Sequence, residues 1–161
     1  ILNAFSKLET PLGTLGIRTN SKGVHHIHLP NSIILIEMET IPKNQSKIMN
    51  QALEELQEYF EGKRTTFTIP IDLNAPPFYK KVLQEIRKVP FGSTASYLEI
   101  ASRVGSPKAV RAVGSANARN PIPIIIPCHR IIRSDGGLGG YGGGLDLKMD
   151  LLRHEDYEFL P

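Results

Sequence analysis

The single cysteine of the chain lies in a segment that could supply a nucleophile. The segment "NPIPIIIPCHRII" spans residues 120–132 and places Cys128 directly before His129 and Arg130. An unperturbed thiol, with a pKa of about 8.5, is only a few per cent ionised at pH 7, and an imidazole that accepts its proton is a common remedy. A free cysteine is also often no more than a small buried hydrophobic side chain. Both interpretations of Cys128 are open on this segment alone.

A reactive thiol and imidazole need a suitable backbone and an acidic partner. Neighbours on an extended strand point to opposite faces, so Cys128 and His129 can pair only across a turn or through a water. The prolines at positions 121, 123 and 127 favour such an irregular backbone. A carboxylate that orients the imidazole would complete a proton relay, and "LLRHE" near the C-terminus offers Glu155 on the last predicted helix. An ordinary solvated helix residue is the alternative for Glu155.

Other reactive patterns are weaker. The segment "GGLGGYGGG", residues 136–144, lacks the Lys-Ser/Thr of a phosphate-binding loop, although its backbone could approach a flat ligand beside Tyr141. His25, His26 and His28 fall in a strand-like run without carboxylate or cysteine partners, so we predict no metal site. No GxSxG nucleophile elbow is present. The sequence therefore disfavours a nucleotide-binding loop, a metalloprotein and a serine hydrolase.

Composition limits the class of protein. The chain has 161 residues, 40% of them hydrophobic, which suits one domain or two small ones. One cysteine cannot form an internal disulfide, so we expect an intracellular protein, cytoplasmic if the source is prokaryotic. The apolar runs are far shorter than the roughly 20 residues of a membrane helix, and no membrane association is predicted. The net charge of +3 permits a polyanionic partner without requiring one.

The first half of the chain has the pattern of an α/β domain. The runs "GTLGIRT", "GVHHIHL" and "SIILIEMET" predict strands, and apolar spacing predicts a helix that Ser46 caps at its start and Gly62 at its end. "RTTFTIPIDL" alternates like an edge strand. "NAPPF" then punctuates the chain, and we place a domain boundary there, between residues 1–74 and 75–161.

The second half consists of short amphipathic segments. "PFYKKVLQEIRKV", "SYLEIASRV" and "SPKAVRAVGSANARN" predict three helices, and "LDLKMDLLRHEDYEF" predicts a closing one. Ser106 followed by Pro107 is a typical start for the third. The second and third helices have the proportions of a helix-turn-helix, and small residues with spaced cations, Lys108, Arg111 and Arg119, would let the third approach a nucleic-acid groove.

These motifs together resemble the O6-alkylguanine-DNA alkyltransferase family. The resemblance is carried by "SPKAVRAVGSA", "NPIP", "IPCHR", "GGYGGG" and "LLRHE" in that order, from about Phe91 to Glu155, with a looser counterpart in residues 1–75. Members of the family flip an alkylated guanine out of the duplex and transfer the alkyl group to their own cysteine, once and irreversibly. The resemblance implies that no cofactor is needed, because the cysteine itself is consumed.

The resemblance also implies roles for residues at the reactive site. Cys128 resembles the acceptor nucleophile, His129 the base that deprotonates it through a bound water, and Glu155 the carboxylate that orients the imidazole. Asn120 resembles the residue that braces the turn. Tyr97 resembles the tyrosine that hydrogen-bonds the guanine and helps it leave.

Further residues match the family's DNA-binding and pocket positions. Arg111 is similar to the arginine that fills the gap left by the flipped base, on a recognition helix that enters the minor groove. The resemblance implies further DNA contacts from Lys108, Ala109, Ser115 and Arg119, and an alkylguanine pocket formed by Pro123, Ile131, Tyr141 and Gly142.

The implied architecture is a ribonuclease-H-like α/β N-terminal domain that supports a mainly α C-terminal domain with a winged-helix-like helix-turn-helix. The implied partner is double-stranded DNA carrying O6-alkylguanine, bound by a monomer. Some relatives hold zinc in the N-terminal domain, but with no cysteine outside position 128 we predict none here. Two alternatives stay open: a DNA-lesion binding module without chemistry, and a cysteine hydrolase that turns over.

Overall fold

The chain divides into two units, Ile1–Asn74 and Ala75–Pro161. The first unit begins with three antiparallel strands. The computed structural model describes residues 3–30 and 37–157. The strands are β1 (Ala4–Thr10), β2 (Gly13–Asn20) and β3 (Gly23–His28), in the order β1-β2-β3. Helix α1 (Ser46–Phe60) packs against all three strands. The buried core between them contains Phe5, Leu15, Ile17, Val24, Ile27, Met49, Ala52, Leu56 and Tyr59.

The predictions for the first unit were partly right. Strands β2 and β3 and helix α1 are confirmed, whereas β1 was not predicted. Most of "SIILIEMET" lies outside the described residues; its last residue, Thr40, exchanges backbone hydrogen bonds with Phe5. Gly62 does end α1, with a φ of 76° and its N–H donating to the Tyr59 carbonyl.

Two local predictions in this unit were wrong. Ser46 does not cap α1, because a 3₁₀ turn, Lys43–Gln45, runs directly into the helix and Gln45 is the N-cap. Residues 64–73 do not form a regular strand; they meet the sheet through an isolated bridge between Ile71 and Val24 and through a hydrogen bond of 2.8 Å from Asn20 to Asp72. The reason is that the buried Glu55 carboxylate accepts the N–H groups of Thr68, at 2.8 Å, and of Ile69, so these donors do not enter a strand ladder.

Four α-helices and a two-stranded parallel ladder are the regular elements of the second unit within its described residues, 75–157. The helices are α2 (Pro77–Ile86), α3 (Tyr97–Arg103), α4 (Val110–Ala118) and α5 (Leu145–His154). Strand β4 (Ala95–Ser96) pairs with β5 (Ile131–Ile132), which follows the 3₁₀ turn Cys128–Arg130. Helices α2, α3 and α4 pack on one another. The buried core includes Val82, Leu83, Ile86, Ile100, Val113, Ala116, Leu151 and Leu152.

The helix ends in this unit differ from those predicted. Ser106 does not cap α4: its carbonyl accepts the N–H of Ala109 at 2.8 Å in a separate turn, and its own N–H donates to the Ala101 carbonyl at 2.9 Å, which completes the C-terminal cap of α3. Helix α4 therefore begins only at Val110. Helix α5 ends at His154, and Glu155 is its C-cap residue rather than a residue of the helix.

Candidate active site

The turn that carries Cys128 is held by two asparagine side chains. Asn120 donates from Nδ2 to the Ile126 carbonyl at 2.8 Å and accepts the N–H of Ile122 at 2.9 Å. Asn117, at the end of α4, donates to the Cys128 carbonyl at 3.3 Å. These bonds satisfy backbone groups that a buried, proline-interrupted segment cannot pair in a ladder. The backbone around the thiol is therefore fixed by the side chains of Asn120 and of Asn117, a residue that was not predicted from the sequence.

The peptide between the asparagines and the thiol is strained. Ile124 has a φ of 74°, in the left-handed region that a β-branched side chain rarely occupies, and it is buried. Such a conformation costs on the order of 1–3 kcal/mol and persists where the surroundings over-determine it. The bonds made by Asn120 on either side of Ile124 supply that constraint.

His129 and Glu155 form a buried hydrogen-bonded pair. Their Nε2 and Oε2 atoms are 2.8 Å apart, and neither side chain is exposed to solvent. Because a carboxylate only accepts, Nε2 carries the proton and Nδ1 is the ring nitrogen left to accept one. Arg130 binds the same carboxylate twice, from Nε at 2.7 Å and from Nη2 at 2.9 Å. Glu155 is thus placed between an imidazole and a guanidinium.

Burial and hydrogen bonds together set the protonation states of Glu155, His129 and Cys128. Burial acts to raise the pKa of Glu155, but hydrogen bonds from His129 and Arg130 outweigh it and hold that pKa well below its usual range. Burial lowers the pKa of His129, against the opposing pull of Glu155. Burial raises the pKa of the Cys128 thiol, while Asn120 acts to lower it. At pH 7 the cluster holds a carboxylate, a neutral imidazole and a protonated thiol.

Tyr97 lies beside the glycine segment at the start of α3. Burial raises the pKa of the Tyr97 phenol, and Cys128 raises it further, so the hydroxyl stays protonated and can donate a hydrogen bond at neutral pH. A Cβ added to Gly139 would lie only 2.7 Å from the Tyr97 hydroxyl oxygen. Helix α3 begins at Tyr97 because Ser96 and Glu99 form a reciprocal capping box. The cap therefore determines where the phenol is placed.

Lys148 is a buried cation of this site that was not predicted. Its side chain is fully buried, and Nζ donates to the carbonyls of Ile131, at 2.6 Å, Gly140, at 3.2 Å, and Leu138. Burial lowers the pKa of Lys148 to about 8, and a negative charge on Cys128, once the thiol is ionised, acts in the opposite direction. One ammonium group thus links β5 to the glycine segment.

The sequence did contain a signal for Lys148. It precedes Leu151 by three residues and Leu152 by four, so it falls on the apolar stripe of α5. Arg130 was also missed as a partner of Glu155, although it stands between His129 and two isoleucines. In both cases a positively charged residue stands within an apolar pattern, which indicates a buried and therefore paired cation.

The remaining pocket positions lie in the same unit. Pro123 and Ile131 are buried, Tyr141 is half-buried, and Gly142 is exposed. Tyr141 acts through a hydrogen bond to lower the pKa of Cys128. A Cβ on Gly142 would meet only the Ala118 carbonyl, at 3.9 Å, at the end of α4.

The helix predicted to bind DNA presents an exposed stripe. Arg111 and Ser115 are exposed on α4, Arg119 follows the helix, and Lys108 precedes it in the turn, next to the half-buried Ala109. The opposite face of α4 is buried through Val113, Ala116 and Asn117. Arg119 is oriented by a hydrogen bond of 3.0 Å from Nη1 to the Tyr79 hydroxyl. The stripe is free of acidic side chains along Lys108–Arg119.

Two family models match the chain. Residues 77–157 match the DNA binding domain of 6-O-methylguanine DNA methyltransferase, and residues 4–73 match its ribonuclease-like domain. The chain belongs to the 6-O-methylguanine DNA methyltransferase family. The fold class predicted from the sequence, a ribonuclease-like α/β domain followed by a mainly helical DNA-binding domain, is confirmed.

Relatives in this methyltransferase family match the chain over nearly its whole length. The constitutive methylated-DNA–protein-cysteine methyltransferase of Bacillus subtilis is 40% identical over 158 residues, which is 96% of either chain. That of Methanosarcina barkeri is 41% identical and covers 92% of this chain and 94% of its own. The crystal structure of Mycobacterium tuberculosis OGT in complex with DNA is 35% identical, with a TM-score of 0.84 over 94% of this chain and 91% of its own.

The charge of the chain is concentrated in the DNA-binding domain of the methyltransferase. Residues 75–161 hold 12 Lys and Arg against 8 Asp and Glu, a net charge of +4, whereas residues 1–74 hold 7 against 8, a net charge of −1. In the described ranges, 3–30 and 37–157, no cluster of three His, Cys, Asp or Glu side chains is suited to a metal ion. None of the helices described there has the length and apolar character needed to cross a membrane.

Proposed function

We propose that this protein repairs DNA by transferring an alkyl group from O6 of guanine to Sγ of Cys128, once per molecule. The observation that carries the proposal is the buried hydrogen bond of 2.8 Å between His129 Nε2 and Glu155. His129 directly follows Cys128, the only cysteine of the chain. Because Nε2 is bound to Glu155, Nδ1 is the nitrogen of His129 that can accept the thiol proton, and His129 lies in the same turn as Cys128. A relative named methylated-DNA–protein-cysteine methyltransferase, at 40% identity over 96% of this chain, supports the proposal.

The transfer is a displacement at the alkyl carbon. The thiol proton passes through a water to His129, and Glu155 stabilises the imidazolium that forms. The sulfur forms a bond to the alkyl carbon, the carbon–O6 bond breaks, and the electron pair stays on the guanine. The Tyr97 hydroxyl donates to the departing base and stabilises its developing charge. The product thioether is stable, so the reaction ends with the protein alkylated.

The second unit binds the DNA in this proposal, and the first supports it. The exposed stripe of α4 lies along the minor groove of double-stranded DNA, where Gly114 and the alanines allow close approach. Arg111 fills the gap left by the flipped guanine. Flipping costs a few kcal/mol, and less for a weakly paired, damaged base, which favours O6-alkylguanine. All these groups belong to one chain, so a monomer is sufficient.

Intact-protein and peptide mass spectrometry test the proposal. The protein is incubated with duplex DNA that contains O6-methylguanine, and the peptide with Cys128 should gain one methyl group per molecule without turnover. Cys128→Ser, the matched control, should bind the same duplex and gain nothing. An unmodified Cys128 peptide on bound DNA would contradict the proposal and favour a lesion-binding module. Release of more product than protein would favour a hydrolase.

A further inference from the structure

We propose that Lys148 is a positioning residue that holds the glycine segment, residues 136–144, against Tyr97. The inference rests on the proposed alkyl transfer, because its effect on function is read from the transfer rate. Lys148 makes no contact with substrate in this proposal. It acts through the backbone of the segment whose Gly139 lies beside the Tyr97 phenol.

The three acceptors of the Lys148 ammonium show what it connects. One is the Ile131 carbonyl, on the strand that directly follows the turn Cys128–Arg130. The other two are the carbonyls of Leu138 and Gly140, on either side of Gly139. An ammonium group has three N–H donors, and all three are used on backbone oxygens here. Lys148 therefore fixes Gly139 relative to the strand that leaves the thiol turn.

The glycine segment needs such a constraint. Gly136, Gly139 and Gly144 have φ values of 89°, 70° and 94°, and glycine-rich backbone loses more conformational freedom on ordering than any other. Gly139 leaves no room for even a Cβ beside Tyr97. A shift of the segment would release the phenol from the position in which it donates to the departing guanine.

The consequence concerns rate rather than affinity. In-line displacement needs the sulfur, the alkyl carbon and O6 aligned with the Tyr97 donor, and a misplacement of about 1 Å can cost on the order of a hundredfold in rate. The Lys148 side chain is fully buried, so it offers no surface to DNA. Loss of its ammonium should slow the transfer step and leave binding of the duplex nearly unchanged.

Lys148→Met tests this role, because methionine is of similar length but has no donors. Single-turnover transfer from an O6-methylguanine duplex should show a limiting rate lower by about ten- to a hundredfold, and a half-saturating DNA concentration changed by less than about twofold. Hydrogen exchange at residues 138–140 should become faster. Arg153→Met, which removes one charge from an exposed position of the same helix, should change none of these three quantities.

A second measurement separates positioning from a direct charge effect on the thiol. The rate of Cys128 alkylation by iodoacetamide against pH should have the same inflection in Lys148→Met as in the unaltered protein. An inflection moved up by a full pH unit, with hydrogen exchange at 138–140 unchanged, would overturn the proposal, since Lys148 would then act through its charge. Unchanged exchange with an unchanged limiting rate would overturn it as well.

The unaltered protein provides a test that does not depend on how the variant folds. Its lysine-selective ¹⁵N spectrum should contain one ammonium group whose protons exchange slowly with water. If every lysine ammonium exchanges as fast as a surface group, the inference fails. If instead the unaltered protein transfers no methyl group, the proposed function fails, and the exchange data still decide whether Lys148 holds the segment.

Discussion

Burial works against ionisation of Cys128 and keeps His129 ready to act as its base. It raises the pKa of the thiol and lowers the pKa of the imidazole, so both groups are neutral at rest. A neutral imidazole with Nε2 bound to Glu155 can accept a proton only at Nδ1. We infer that the thiolate forms when the alkylated base is in place, rather than being present beforehand. This protects a cysteine that can be used once from side reactions.

Arg130 adjusts this balance, and its removal should be visible in the pH dependence of transfer. The guanidinium lies on the same carboxylate as His129 and its charge helps to lower the pKa of the imidazole. The transfer rate of the unaltered protein should therefore fall only below pH 6.5, as His129 becomes protonated. In Arg130→Met the pKa of His129 rises, so the acid limb of the single-turnover rate should move to higher pH.

The same substitution should destabilise the fold. It leaves the buried Glu155 carboxylate with one partner fewer, and breaking a buried ion pair costs about 3–5 kcal/mol in the free energy of unfolding. Urea denaturation at pH 7 measures this loss. Arg133→Met, which removes an exposed ion pair with Asp135, should change the free energy of unfolding by less than about 1 kcal/mol. An acid limb that stays in place in Arg130→Met would contradict the role given to Arg130.

The sequence was enough to group the three reactive residues in one hypothesis, but it did not predict the two buried cations beside them. Cys128 and His129 are adjacent, and Glu155 falls in a motif that accompanies them, so the chemistry of a thiol and its base pointed to all three. Arg130 and Lys148 were missed because charged side chains are expected at the surface. Their burial depends on backbone carbonyls and a carboxylate that only the folded chain brings close.

At the scale of elements, the helices were predictable from apolar spacing, but apart from the end of α1 at Gly62 several of their ends were not. Ser106 is a good N-cap residue by type, yet it lies in a separate turn in which its carbonyl accepts the Ala109 N–H, and α4 starts only at Val110. Glu155 ends up beyond α5, where its side chain can turn toward His129. Residues 64–73 alternate like a strand, but Glu55 takes their donors. Whether a residue caps a helix or joins a strand therefore depends on which partner its backbone N–H and C=O groups bind in the folded chain.

The glycine segment gives a prediction at this scale. Alanine at Gly139 would place a Cβ 2.7 Å from the Tyr97 hydroxyl oxygen and would impose a side chain on a φ of 70°. We expect Gly139→Ala to displace the phenol and to lower the single-turnover transfer rate by at least about tenfold. Gly140→Ala is the matched control, because its Cβ would meet no atom within 4 Å. Equal rates in the two variants would show that the contact with Tyr97 does not matter.

At the scale of the whole molecule, the two units differ in charge more than in size. The net charge of +4 on residues 75–161, against −1 on residues 1–74, places the attraction for a polyanion on the unit that also carries the thiol. The total of +3 alone did not indicate this division. The division of the chain near "NAPPF" was predictable because prolines interrupt the apolar pattern there, whereas strand β1 was not predicted.

This distribution predicts how DNA binding depends on salt. Each phosphate that a cation neutralises contributes about −0.9 to the slope of log affinity against log salt concentration. Lys108→Gln, which removes an exposed cation at the start of the α4 stripe, should therefore weaken binding to undamaged duplex and make the slope less steep by about 1. Lys22→Gln removes one exposed charge from the first unit and should leave the slope unchanged. Fluorescence anisotropy between low and physiological salt measures both, and a slope that responds equally to the two substitutions would mean that net charge, rather than the α4 stripe, governs binding.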